Sequence, residues 1–317
     1  MLPRICMKKP HVLENDDTTA WFTALERHHK GKFSMAAYQA NAVMDDYSQV
    51  EVDGNSLFVG IYDGHNGTNA AKFTSNYIFQ ELSRLIGENN NMMNGRLLRE
   101  AVAATKEKFT HVVIALIWKE TLYMANLGDS RVVFGIIDVD PPLMHALPGE
   151  AERLTRDHDC EDSCNRVTLL QQFPYDHTLL CKVRGYSKFH RSIVPYSKFH
   201  RSIVSSGLNI GSRILRYGYK FFILASHGFW EIMTNEEAVS IVARHSRRGI
   251  AKTLLRKALE KVAAKEKMSY KDIVLSLDRK KYHDDITIIV VFLDLGKDKP
   301  LWKRNVPKLS YKSPSHA

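Results

Sequence analysis

No apolar run among these 317 residues reaches the roughly 20 needed to cross a bilayer as a helix. The first thirty residues carry charges throughout and hold no apolar core of the signal-peptide kind, so a cytoplasmic or nuclear place is expected. Cysteine is scarce: Cys6, Cys160, Cys164 and Cys181 suggest no disulfide framework, which points to a reducing compartment. One close pair, Cys160 and Cys164 with His158 ahead of it, falls short of the two pairs that a structural zinc site usually draws on. Repeats of solenoid length are also missing. The self-similarity that stands out is Tyr186–Val194, which recurs as Tyr196–Val204 with Pro195 between the copies. Two copies of so short a unit cannot stack into an array, so the segment reads as a local duplication in a surface loop.

What is present is ordinary in amount and uneven in charge. With 44% hydrophobic and 25% charged residues the chain suits a soluble globular protein, and its net charge of +10 favours acidic partners. Much of the excess lies between Arg247 and Lys267 and between Lys297 and Lys312, read as a solvated helix face and a loose tail. Residues 1–35 read as polar and irregular, 36–294 as one folded domain, and 295–317 as a basic disordered tail.

Within the domain the strand signals come first. Leu57–Tyr62 is an apolar run that stops at Asp63-Gly64-His65-Asn66-Gly67, where turn dipeptides deliver a carboxylate, a bare backbone and an imidazole together. Thr68 caps an amphipathic helix that extends to Ile86, and a second helix covers about Arg96 to Phe109. Val112–Trp118 and Thr121–Asn126 form a hairpin, followed by Gly128-Asp129-Ser130 and a third strand, Val132–Ile137. From 159 to 212 the periodicity is poor. Tyr219–Ser226 is another strand, ending in His227-Gly228. Thr234 and Glu237 then form a capping box ahead of a helix over Asn235–His245, with a longer basic helix to Lys265. Asp284-Asp285 leads into the β-branched strand Ile286–Leu293.

Acids and imidazoles thus collect at the ends of strands: Asp45 and Asp46 after Met44, then Asp63, His65, Asp129, His227, Asp284 and Asp285. Clustered carboxylates are what a pair of hard divalent cations requires, since Mg²⁺ and Mn²⁺ prefer oxygen ligands. Two such ions can lower the pKa of a bridging water and aim it at a phosphoryl group.

In these stretches, taken in order, the chain resembles the protein phosphatase 2C family of metal-dependent Ser/Thr phosphatases: VMDD, VGIYDGHNG, LYMANLGDSRVV, RLTRDHD, FFILASHGFWEIMTNEEAV and DDITIIVV. The resemblance implies an α+β fold, a β-sandwich of two antiparallel sheets flanked by helix pairs. It implies two Mg²⁺ or Mn²⁺ ions at one end, held by Asp45 through water, by Asp63 bridging both, by the Gly64 carbonyl and by Asp284. Asp46 and Asp129 would support these ligands from behind, with Asp285 expected beside them, and His65 would protonate the leaving alkoxide. A monomer acting on or binding a phosphoprotein or other protein partner is expected, in preference to one that binds nucleic acid.

The departures fall on the chemistry. His227 stands where the family has a metal-ligand Asp, Asn41 where an Arg grips the phosphate, and Asp285 where an Asn follows the last ligand. The Ser-Arg-Ala-Leu-Gly-Asp segment is not recognisable, with the duplication in about its place, and Phe109-Thr-His-Val replaces Gly-Ser-Thr-Ala. Imidazole for carboxylate removes a negative charge and an oxygen donor, and Asn cannot bind phosphate bidentately as Arg does. At about 2–4 kcal/mol each in the transition state, the two losses together amount to several powers of ten in rate. The expectation is a pseudophosphatase that acts by binding. The alternatives are a working Ser/Thr phosphatase with altered metal use and, ranked last, a basic scaffold for polyanions.

Overall fold

The computed structural model describes residues 6–7, 11–12, 20–64, 68–105, 110–136, 150–157, 207–216, 218–295, 306 and 308–312. His65, the Cys160/Cys164 pair and the whole duplication lie outside the described residues.

Two seven-stranded sheets face each other. One runs in the order β1 (Cys6–Met7), β14 (Leu309–Lys312), β5 (Asp46–Asp53), β6 (Ser56–Gly64), β7 (Thr110–Trp118), β8 (Thr121–Leu127) and β11 (Asn209–Ile214). The other runs β10 (Glu150–Arg153), β9 (Arg131–Ile136), β12 (Tyr219–Ala225), β13 (Ile286–Leu293), β4 (Gly31–Tyr38), β3 (Ala20–His28) and β2 (His11–Val12). All pairings are antiparallel except β1 with β14. Helices α1 (Thr68–Glu88) and α2 (Gly95–Thr105) cover the outer face of the first sheet. Helices α3 (His227–Trp230), α4 (Asn235–Arg244), α5 (Ile250–Glu266) and α6 (Tyr270–Leu275) cover the second. The α+β sandwich that the resemblance implied is the fold of this chain.

The two-residue period of a strand explains how each sheet is buried on both sides. In β6, Leu57, Val59 and Ile61 enter the core between the sheets, while Phe58 and Tyr62 pack under α1 and α2. In β13, Ile289, Val291 and Leu293 enter the same core, and Ile288, Val290 and Phe292 pack under α5. Both strands are therefore apolar runs without alternation, which is how they read in the sequence.

The basic helix α5 is solvated on only one side. Ile250, Ala251, Leu254, Leu255, Ala258, Leu259 and Val262 recur at helical spacing and are buried on the second sheet. Each leucine buried there contributes about 1.5–3 kcal/mol. Arg256 and Lys257 stay outside and pair with Glu260, and Lys261 pairs with Glu237. Its N-terminus is tied by the Gly249 N–H, which donates to the Ala24 carbonyl at 2.7 Å.

Two ends of the chain differ from expectation. The stretch 1–35 was expected to be irregular, yet Ala20–His28 and most of Gly31–Tyr38 are strands. The polar residues Glu26, Arg27, His28, His29 and Lys30 concealed them, and three of these are buried all the same. His28 Nε2 lies 3.0 Å from the Phe292 carbonyl, and Lys30 pairs with Glu120 of the β7–β8 turn. The tail also contains structure: β14 adds to the edge of the first sheet, burying Leu309 and Tyr311, while Ser310 donates to buried Glu51 at 2.7 Å.

Candidate functional site

The same period that fills the core carries polar groups out of it at one end. In β6 the inward positions 57, 59 and 61 continue to Asp63. In β5 the positions of Val50 and Val52 lead back to Ser48 and Asp46, and in β7 those of Val113 and Ala115 lead back to His111. In the facing sheet Ile289 leads back to Thr287 and Asp285, and Leu224 leads on to Ser226. Strand register fixes the neighbours, with Asp46 opposite Asp63 and Asp63 opposite His111.

Two sub-clusters share Asp63. The first holds Asp45, Asp46, Asp63, Asp284 and Asp285. Thr287 Oγ1 donates to Asp46 Oδ2 at 2.8 Å, a bond from one sheet to the other. Burial, then the charges of Asp63 and Asp285, push Asp46 well above the usual carboxylate range. Asp45 is raised to about 6, first by burial and then by Asp285, with Lys280 opposing. Carboxyls are crowded here in a way that a cation would relieve.

Asp285, expected among the supporting acids, is held by backbone donors. Its Oδ1 accepts from the backbone N–H of Ala40 at 2.7 Å and of Asn41 at 3.0 Å, and its Oδ2 accepts from Asp45 N–H at 2.7 Å. It is 3% exposed and fastens the loop between β4 and β5. Its backbone is fixed as well, because a Cβ on Gly228 would stand 2.1 Å from the Asp285 carbonyl oxygen. Only glycine lets α3 approach that closely.

Asp284 is engaged by a cation of the chain itself. Its Oδ1 accepts from Lys280 Nζ, from Asn41 Nδ2 at 3.1 Å and from Asp285 N–H at 2.9 Å. Asn41, at the position where the resemblance placed a phosphate-gripping Arg, thus turns toward a carboxylate.

The second sub-cluster is Asp63, His111, Asp129 and His227. Donor atoms of the first three all lie within 4.8 Å of one another. His111 Nδ1 is 3.2 Å from Asp129 Oδ1, and His227 Nδ1 is 2.9 Å from Asp129 Oδ2. His227 Nε2 faces Glu231 one turn further along, at 3.7 Å. The Asp129 charge raises His227 to about 10 against the effect of its burial. Burial also opposes the charge on Asp129, but His227 and His111 outweigh it and hold that carboxyl well below its usual range. Gly128 sets the ring of His111. Its φ of +118° suits glycine, and a Cβ there would lie 2.3 Å from His111 Cγ.

The expected residues therefore come together, with His65 outside the described residues. They do not fit the expected pair of hard ions. Asp45, Asp63 and the Gly64 carbonyl suit one such ion. The second position has an imidazole committed to Asp129, and Asp284 already carries Lys280. His111, Lys280, Thr287 and Glu231 were not singled out in the sequence. The register opposite Asp63 would have disclosed His111, but the contacts of the others depend on elements far apart in the chain.

The protein phosphatase 2C family model matches residues 24–267. The chain is 36% identical to "Probable protein phosphatase 2C 43" of Oryza sativa subsp. japonica, over 88% of this chain and 82% of that one. It is 35% identical to "Probable protein phosphatase 2C 68" of Arabidopsis thaliana, over 95% and 87%. Among solved structures, the serine-threonine phosphatase 2C from Toxoplasma gondii superposes with a TM-score of 0.58. The identity is 17%, over 86% of this chain and 97% of that one, a likeness of fold alone.

Proposed function

Because the chain belongs to the protein phosphatase 2C family, we propose that it is a member with phosphoester hydrolysis lost or very low, acting by binding a phosphoprotein or another protein partner. The observation that carries this reading is the 2.9 Å contact between His227 Nδ1 and Asp129 Oδ2. Where the family resemblance calls for a carboxylate facing a cation, this chain has an imidazole that already holds its own counter-ion. Asp285 shapes the loop that presents Asn41 and Asp45, and Asn41 offers a neutral amide where bidentate charge is needed to hold a phosphoryl group. Lys280 acts on Asp45 of that loop, and its charge is directed at Asp284. Four cysteines without a disulfide framework support a cytoplasmic or nuclear setting.

The test is hydrolysis of phosphoserine and phosphothreonine peptides by the purified full chain with Mg²⁺ or Mn²⁺, beside an active relative. Release at background, with phosphopeptide retained intact on the immobilised protein, is the expected result. Turnover at the rate of the active relative would overturn the proposal.

A second reading has its own support in the Asp63, His111 and Asp129 cluster. It is a working Ser/Thr phosphatase with altered metal use, whose activity would rise with one particular metal and vanish in Asp63→Ala.

A further inference from the structure

We propose that Asp63, His111, Asp129 and His227 form a mononuclear site for a borderline divalent cation, Zn²⁺ foremost, in place of a pair of Mg²⁺ or Mn²⁺ ions. Two imidazole nitrogens and two carboxylates are a donor set that hard ions disfavour and Zn²⁺ accepts readily. Binding replaces the proton on His227 Nδ1, which is released to solvent, and the two carboxylates and two neutral imidazoles then neutralise one divalent ion. The four residues come from four elements: the end of β6, the start of β7, the turn after β8 and the first residue of α3. A site assembled in this way is invisible as a spacing motif.

The geometry is close to what the ion needs. Tetrahedral Zn²⁺ with bonds of about 2.0–2.2 Å sets its ligand atoms about 3.3–3.6 Å apart. His111 Nδ1 to Asp129 Oδ1 is 3.2 Å, and ligand atoms of Asp63, His111 and Asp129 lie within 4.8 Å of one another, while His227 Nδ1 reaches the other Asp129 oxygen at 2.9 Å. Three of the ligands already stand together, and His227, paired with the other oxygen of Asp129, has to turn toward them to complete the set.

The supports for the imidazoles are also in place. Ligating histidines hold their orientation through the second ring nitrogen, commonly on a carboxylate. Glu231, at the C-cap of the same short helix, stands 3.7 Å from His227 Nε2. His111 is 3% exposed and pressed against the bare Gly128 backbone, so little rotamer freedom remains to be lost. This inference is independent of turnover, because it concerns which ion the chain holds whether or not phosphate is hydrolysed.

The experiment uses the full chain stripped with a chelator and titrated with Zn²⁺, Mg²⁺ or Mn²⁺ against a chromogenic competitor. X-ray absorption is recorded at the zinc edge. One equivalent of Zn²⁺ is expected, with nitrogen and oxygen neighbours only, and excess Mg²⁺ should fail to displace it. His111→Gln and His227→Gln should each weaken Zn²⁺ binding by at least about tenfold, and Cys160→Ser/Cys164→Ser should leave it unchanged. His227→Asp should move the preference toward Mn²⁺. Position 227 lies at a partly open helix start, so its variants decide the matter even if the buried His111 tolerates no change. No retained Zn²⁺, sulfur among its neighbours, or undiminished binding in His111→Gln/His227→Gln would overturn the proposal.

Discussion

His227 and Asp129 form an ion pair, Nδ1 to Oδ2 at 2.9 Å, between the start of α3 and the turn after β8. The contact raises His227 from 6.5 to about 10. A group whose folded pKa is raised adds stability that is full below its unfolded value and is lost as pH rises through the folded value. Metal-free protein should therefore lose stability between about pH 6.5 and 10. His227→Gln should show a shallower decline over that window, measured by urea denaturation with chelator present. Asp129 reports the same pair from its other end, so the two shifts are one effect.

A second expectation concerns the acid side. Burial, reinforced by the neighbouring His29 charge, lowers His28 to about 3. Burial, with Lys30 beside it, lowers His29 to about 4. Both are depressed below the value of about 6.5 they take in the unfolded chain, which therefore binds more protons, and stability should fall as pH drops from about 6.5 toward 4. In His28→Gln/His29→Gln the neutral-pH stability should be lower but the slope over that range flatter. An unchanged slope would show that other groups govern acid unfolding.

Asp285 accepts three backbone N–H groups from residues up to 245 positions away. Asp285→Ala strands those donors in a buried place and should cost about 3–5 kcal/mol. Asp285→Asn should also destabilise, because its amide would set a donor against a donor at either Asp45 or Ala40. Equilibrium denaturation gives the cost. Faster amide exchange at Asn41 and Asp45 would localise it to the loop.

The C-terminal strand offers a direct test of order in the tail. Leu309 and Tyr311 are buried and Ser310 meets Glu51, so Leu309→Ala should cost about 2–5 kcal/mol. Removal of residues 306–317 should cost more. Were this strand a loose tail, either change would stay within about 0.5 kcal/mol.

The strands and helices were legible because the central strands are apolar on both faces and the helices carry caps and a three-to-four-residue stripe, while the sandwich they build was implied by the family resemblance. Thr234 and Glu237 form the capping box as read, with the Thr234 hydroxyl accepting from Glu237 N–H at 3.1 Å. What remained hidden was made by distant pairing. Polar His28, His29 and Lys30 gave no sign of burial, because their partners Phe292 and Glu120 lie elsewhere in the chain. In the site, the positions of Asp45, Asp46 and Asp63 followed from strand ends. That Asp285 is a backbone anchor, and that Asp284 is held by Lys280, could not be read from adjacency in sequence.

The hydrogen bond from Thr287 to Asp46 joins the two sheets at the end where the acids gather, and Asp285 pins the loop beside it. The acidic end is thus a rivet as much as a reaction centre. A lineage that gave up hydrolysis would still be obliged to keep those acids in order to fold. Position 227 lies outside the strands and is 35% exposed, so it can change without disturbing that rivet.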